Sequence, residues 1–194
     1  MKPKASKRKI ILEAARRVLA ASDPAHATMD RIAAEAEVGK GTLFLYYPGK
    51  DALFAAVHAN LMESFASDLK AIRDSKLRGS ALLRAGVRSV VEHMERKTGL
   101  MDALGEKRDG PGGVCRRHPR AKAPVILGVL KDILEKCAAD GLITLKDPLY
   151  MASALFGLCR GSFAYARGAG RTLSAAEKTS RVMEIYLNGI RSRT

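Results

Sequence analysis

The chain has 194 residues, with 34 Lys and Arg against 20 Asp and Glu, a formal net charge of +14. That length suffices for one large or two small helical domains, and the basic excess favours a polyanion partner, nucleic acid ahead of membrane. No run approaches the ~20 apolar residues of a membrane span, and the N-terminus lacks a signal-peptide apolar core. Three cysteines without close pairing, Cys115, Cys137 and Cys159, fit a reduced cytoplasm better than a disulfide scaffold.

Residues 2 to 9 carry Lys2, Lys4, Lys7, Arg8 and Lys9 with no acid among them. Such a tail lies along phosphates or reaches into a minor groove, a merely solvated tail being the alternative. A first helix is expected from about Ser6 to Ala21, because Ile10, Ile11, Ala14, Ala15, Val18 and Leu19 form a stripe at helical spacing. Asp23-Pro24 ends it.

Residues 28 to 54, TMDRIAAEAEVGKGTLFLYYPGKDALF, hold two short helical patterns, Met29 to Ala36 and about Lys40 to Tyr47, around a Glu37-Val38-Gly39 turn. Met29, Ile32, Ala33 and Ala36 share one face. Thr28 is a good N-cap, and Asp30 suits the positive end of the first of these helices. The second opens on Lys40-Gly41-Thr42, a small, donor-rich start of the kind a recognition helix needs to enter the major groove. With the first helix as a brace, the three form a DNA-binding head. We expect Lys40, Thr42 and Tyr46 to contact bases or phosphates, and Gly41 to let the backbone approach the groove. Thr28, Tyr47 and Lys50 are expected at phosphates, with a core role as the alternative for Tyr47. Leu43 and Phe44 read as core. Leu45 points outward, where it either touches a thymine methyl or has no role.

This stretch resembles the TetR family of bacterial transcriptional repressors. The resemblance is carried by the threonine before the first helix, the Ile32-Ala33 pair, KGTL, the aromatic cluster and Lys50, three residues after Tyr47. It departs from the family at Glu37, where glycine is common, so a left-handed backbone there would cost Glu about 1–2 kcal/mol. Gly39 either shifts the turn by a residue or caps the following helix. Leu45, and Tyr46 in place of a frequent histidine, mean that base preference is not transferable from relatives.

Pro48-Gly49 breaks the chain before a long helix from Lys50, striped by Leu53, Val57, Leu61, Phe65, Leu69 and Ile72. A further helix is expected over about residues 80 to 97, followed by a short piece near Leu100 to Leu104. A long basic loop, residues 105 to 124, comes next, with Lys107, Arg108, Arg116, Arg117, Arg120 and Lys122. It gates the body or has no gating role. A helix restarts with Ile126, Leu127, Leu130, Ile133, Leu134 and Cys137, and Gly141-Leu142 looks like its glycine C-cap.

Asp147-Pro148 opens a helix that is apolar nearly all round, and Ser174 with Glu177 forms a capping box for the last one. A helix apolar on every side must be buried on every side, which points to a subunit contact. Leu155, Phe156, Cys159, Phe163, Val182, Ile185 and Tyr186 are the expected interface. The DP..A..LFGL.RG pattern also resembles the family's dimerisation helix.

The expected fold is thus all-α: a helix-turn-helix DNA-binding domain over residues 1–49, then a helical ligand-binding and dimerisation domain over 50–194. The resemblance implies a homodimeric regulator of a palindromic operator, whose body takes up a small molecule that displaces the helix beginning near Lys50. Val90, Met94, Met101, Leu104, Ile126, Leu130 and Phe156 are candidate cavity residues for an apolar or aromatic ligand, with His93 as polar anchor. No cofactor is implied. His26, His58, His93 and His118 lack metal-ligand spacing, and Cys115-x-x-His118 is half a zinc motif without its partner pair. Cys115 beside Arg116 and Arg117 is a redox-sensing thiol or an idle one. No nucleophile with an oriented base is present, which argues against an enzyme. Two rival readings are a ligand-independent architectural DNA binder and a helical ligand-binding module whose helix-turn-helix is vestigial.

Overall fold

The computed structural model describes residues 4–21, 27–103 and 123–189. These residues form eight helices and no strand: α1 Lys4–Ala21, α2 Met29–Glu35, α3 Lys40–Tyr46, α4 Lys50–Arg73, α5 Gly79–Ala103, α6 Ala123–Ala139, α7 Pro148–Gly168 and α8 Ala175–Asn188. The fold is all-α, as the spacing of apolar residues implies. None of these helices is long and apolar enough to cross a membrane. The chain divides into two compact units. One contains α1 to α3 and α4 up to Glu63; the other contains α4 from Ser64, α5 up to Glu95, and α6 to α8.

The first unit is built on the α1 stripe. Ile11, Ala14, Ala15, Val18 and Leu19 are buried with Ile32, Ala33 and Ala36 of α2, Leu43 of α3, and Leu53, Phe54, Val57 and Leu61 of α4. The small Ala side chains let α1 and α2 pack closely, and each buried Leu or Ile contributes about 1.5–3 kcal/mol of transfer free energy. Helix α1 begins at Lys4, before the expected Ser6. Of the basic residues read as a tail, Lys4, Lys7, Arg8 and Lys9 are therefore in helix, because nothing from Lys4 onward breaks one. Lys2 lies outside the described residues.

The turn between α2 and α3 is a C-terminal helix cap closed by two hydrogen bonds. Glu37 N–H donates to the Ala34 carbonyl at 3.1 Å, and Val38 N–H donates to the Ala33 carbonyl at 3.0 Å. This motif places the residue after the cap in the left-handed region. Here that residue is Glu37, with φ of 53°. The end of α6 uses the same motif with glycine, Gly141 at φ 76°, and α7 ends on Gly170 at φ 60° with Arg171 N–H donating to the Ala166 carbonyl at 2.9 Å. Gly39 does not shift the turn. It is the N-cap of α3, in extended conformation.

In the second unit, α6 packs along α7 and α7 along α8. Gly86 of α5 lies where an added Cβ would meet the Ile133 side chain of α6 at 3.4 Å, so these helices approach closely. The end of α4 is tied to α6: Arg73 bonds Asp132 at 3.0 Å, and Lys136 Nζ donates to the Arg73 carbonyl at 2.5 Å. Asp140 accepts from the first N–H of α5, at Gly79, at 2.8 Å. The capping signals of the last two helices are realised. Tyr150 N–H donates to the Asp147 carboxylate at 3.0 Å, and Ser174 and Glu177 form the reciprocal capping box. Helix α5 runs unbroken to Ala103, so the expected break near residue 97 does not occur. Gly99 alone, at about 1 kcal/mol in a helix interior, is not enough to stop it. Leu104 and most of the basic loop lie outside the described residues.

Glu37→Gly is expected to stabilise the first unit by about 0.5–1 kcal/mol. Relief of the left-handed strain, about 1–2 kcal/mol, outweighs the extra freedom glycine has when unfolded. Denaturant titration of the two chains measures this. Glu37→Ala, which keeps a Cβ, should give no such gain.

Candidate DNA-binding surface

Helices α2 and α3 have seven residues each, and their positions follow from what they bury. Thr28 caps α2: its Oγ1 accepts from Arg31 N–H at 3.2 Å, which leaves its own O–H free to donate to a phosphate. On α3, Leu43 is fully buried and fixes the helix against the head core. Its burial turns Lys40, Gly41, Phe44 and Leu45 toward solvent, with Thr42 and Tyr46 half-buried at the edges. Leu45 is 79% exposed, the outward position expected of it. Phe44 is exposed too, although the sequence pattern reads as core; the apolar spacing of a two-turn helix does not separate Leu43 from its neighbour.

The charged groups are ordered. Lys40 Nζ stands 2.7 Å from Asp30 Oδ1 and 3.0 Å from Oδ2, joining the first turns of α2 and α3. Arg17 of α1 pairs with Glu35 of α2 at 2.7 Å. Lys50, the first residue of α4, is exposed with Nζ 5.3 Å from the Phe54 ring centre.

Tyr47 takes the core alternative. Its ring is only 2% exposed within the head core, and its hydroxyl accepts from Arg8 Nε at 3.3 Å while the Arg8 guanidinium lies 5.4 Å over the ring. It is a core residue, the second of the two roles expected of it, and it fastens α1 to the end of α3. The basic run of α1 is the only hint of that partner in the sequence.

Gly41 has no protein-side reason to be glycine. An added Cβ would meet nothing within 4 Å. Glycine lowers helix stability relative to alanine, so packing among the described residues does not account for it.

The candidate body residues are distributed over three helices. Val90 and His93 of α5 and Ile126 and Leu130 of α6 are buried, while Met94 and Phe156 are half-buried. One face of the His93 ring is covered by Phe65, with ring centres 3.9 Å apart and the planes 7° from parallel. The Met101 side chain and Leu104 lie outside the described residues, as do His26, Cys115 and His118. Among the described residues no group of three or more His, Cys, Asp or Glu could hold a metal ion.

Of the expected interface residues, Leu155, Cys159 and Val182 are buried within the chain itself. They are core residues of the single chain and have no surface left for a partner. Burial pushes the thiols of Cys137 and Cys159 up, to about 11 and about 12. Tyr186 is half-buried, and its hydroxyl donates to the Met151 carbonyl at 3.1 Å, linking α8 to α7. Phe163 is half-buried, under the Lys178 ammonium at 4.2 Å. Ile185 is 43% exposed.

A short helix held by one buried Leu, with its other face open and set beside a capped, acid-started helix, defines a helix-turn-helix DNA-binding head. Residues 11–57 match the family model described as bacterial regulatory proteins, tetR family. Solved structures agree over almost the whole chain. The fatty acid degradation regulator FadR from Bacillus halodurans is 19% identical, with a TM-score of 0.73, covering 99% of this chain and 100% of that one. FadR from Bacillus subtilis, in complex with stearoyl-CoA, is 18% identical with a TM-score of 0.69, covering 94% and 99%. The TetR transcriptional regulator SCO0520 from Streptomyces coelicolor is 25% identical with a TM-score of 0.63, covering 96% and 99%. No curated protein matches significantly. Residues 11–57 thus carry a tetR-family DNA-binding head, on a fold like that of these solved transcriptional regulators.

Gly41→Ala should separate folding from binding. The variant is expected to gain up to about 1 kcal/mol in denaturant stability and to lose about tenfold in affinity for duplex DNA, since the new methyl faces outward. Unchanged DNA affinity would remove Gly41 from the contact surface.

Proposed function

We propose that the chain is a homodimeric transcriptional repressor, cytoplasmic, that binds a palindromic operator and is released by a small apolar molecule. Residues 1–49 act as the DNA-binding domain and 50–194 as the ligand-binding and dimerisation domain. The observation that carries the reading is the two-faced α3, with Leu43 buried and Lys40, Gly41, Phe44 and Leu45 exposed. Each protomer places α3 in the major groove of one half-site. Thr42, Tyr46 and Leu45 meet base edges, and Thr28 and Lys50 meet phosphates. Two such heads must sit about 34–36 Å apart, one helical turn, or a multiple of it.

The dimer is supported by an open apolar face. Tyr150, Ala154, Gly157, Gly161, Ala164 and Tyr165 of α7 are exposed at helical spacing, Tyr150 at 71%, and Ile185 of α8 is exposed as well. A second copy covers this face, with the two glycines allowing close helix contact. The ligand reading is supported by the apolar composition of α5, α6 and α7 around Val90, Met94, Ile126, Leu130 and Phe156. The neighbour crystallised with stearoyl-CoA suggests long-chain acyl compounds as first probes. Ligand uptake shifts α4 and thereby the spacing of the heads.

Selection of binding sequences from a random duplex library tests the operator. The full chain should enrich a near-palindrome with half-sites one turn apart. Enrichment of no sequence, with binding retained, would favour an architectural binder. Ile185→Asp should convert the dimer to a folded monomer by sedimentation and weaken binding to the enriched duplex at least about tenfold, because one head makes half the phosphate contacts. Ile185 is already exposed in the single chain, so this charge need not disturb the fold. For the ligand, stearoyl-CoA or a related acyl or aromatic compound should raise the melting temperature and release the enriched duplex together. Stabilisation without release at saturation would overturn the inducible switch.

A further inference from the structure

The phosphate attraction of a basic residue carries no sequence information, so a regulator gains selectivity by limiting it where bases are read. Two lysines flank the α3 surface, and the fold treats them differently. Lys50 lies against the Phe54 ring, a contact that leaves its charge intact. Lys40 lies against the Asp30 carboxylate, both oxygens of which are within 3.0 Å of Nζ. A paired Lys40 presents almost no net charge to a phosphate at a distance. An ammonium has three N–H donors, and the two carboxylate oxygens engage at most two of them, which leaves one for a base-edge acceptor.

We propose that Asp30 is a specificity-determining residue of the DNA-binding surface, holding Lys40 as a neutral pair that can read a base but adds little to indiscriminate phosphate binding. This rests on the assignment of α3 as the recognition helix. The pair is nearly two-thirds exposed on both sides, so solvent screens it and the effect is graded. A phosphate that takes Lys40 must displace Asp30 and then lies beside that carboxylate, which opposes the exchange. A base acceptor makes no such demand.

The test uses the full chain with two probes: the duplex enriched by the wild type from a random library, and a scrambled duplex of the same composition. Affinities are measured between about 50 and 200 mM salt. Asp30→Asn should bind the scrambled duplex about three- to tenfold more tightly at the lower salt, with a log–log salt slope steeper by about one unit per head. The enriched duplex should gain less, so the ratio of the two affinities falls. Asp30→Glu should restore the wild-type ratio. In a Lys40→Met background, Asp30→Asn should change neither slope nor ratio. The same gain in that background would mean that any lost negative charge suffices, and would overturn the proposal. Unchanged scrambled binding would overturn it too, as would a loss on both duplexes with a lower melting temperature, which would assign Asp30 to the stability of α2. A wild-type chain that enriches no duplex from the library and does not bind the scrambled one would instead overturn the recognition-helix assignment, a result distinguishable from all of these.

Discussion

Helices of seven residues do not persist in water. Nucleation is too costly, and a two-turn helix makes too few hydrogen bonds to repay it. The recognition helix therefore exists only because Leu43 and the adjoining Tyr47 are buried against α1, α2 and the start of α4. Everything the head does depends on that anchorage. It sets which side of α3 is open, and it holds the Lys40, Gly41 and Thr42 start in place without help from a side-chain cap. The Arg8 contact to the Tyr47 hydroxyl extends the same anchorage to the N-terminal half of α1.

The body follows a different logic, in which helix ends are closed individually and helix faces are allotted by packing. The motif at Gly141, the Asp147 cap and the Ser174–Glu177 box each satisfy backbone groups that would otherwise be left without partners. With the ends settled locally, α7 is free to carry apolar residues on two sides. One side holds Leu155 and Cys159 inside the chain, and the other holds Tyr150 and Tyr165 outside it.

What was legible in the sequence is what is local. The existence and order of α1 to α4, the caps of α2, α7 and α8, and the outward Leu45 all follow from spacing and capping chemistry within a few residues. The side of α7 that faces inward did not, because an apolar residue looks the same on either side of an all-round apolar helix. Leu155 and Cys159 were for that reason placed at a subunit contact. The contacts of Tyr47 and Lys40 within the chain were not legible for a related cause. Their partners, Arg8 and Asp30, lie 39 and 10 residues away, and only tertiary packing brings them together. The expected break near residue 97 is absent because nothing between Lys97 and Ala103 costs enough to end α5; Gly99 in its interior costs only about 1 kcal/mol.

Glu37 carries a consequence at the level of the gene. Glutamate and glycine codons differ by one base at the second position, so the strain at φ 53° is one transition away from relief. Selection removes variants that fall below the stability needed for function and is indifferent to surplus above it. Glycine at position 37 is thus a stabilising change that lies within one base of the present codon.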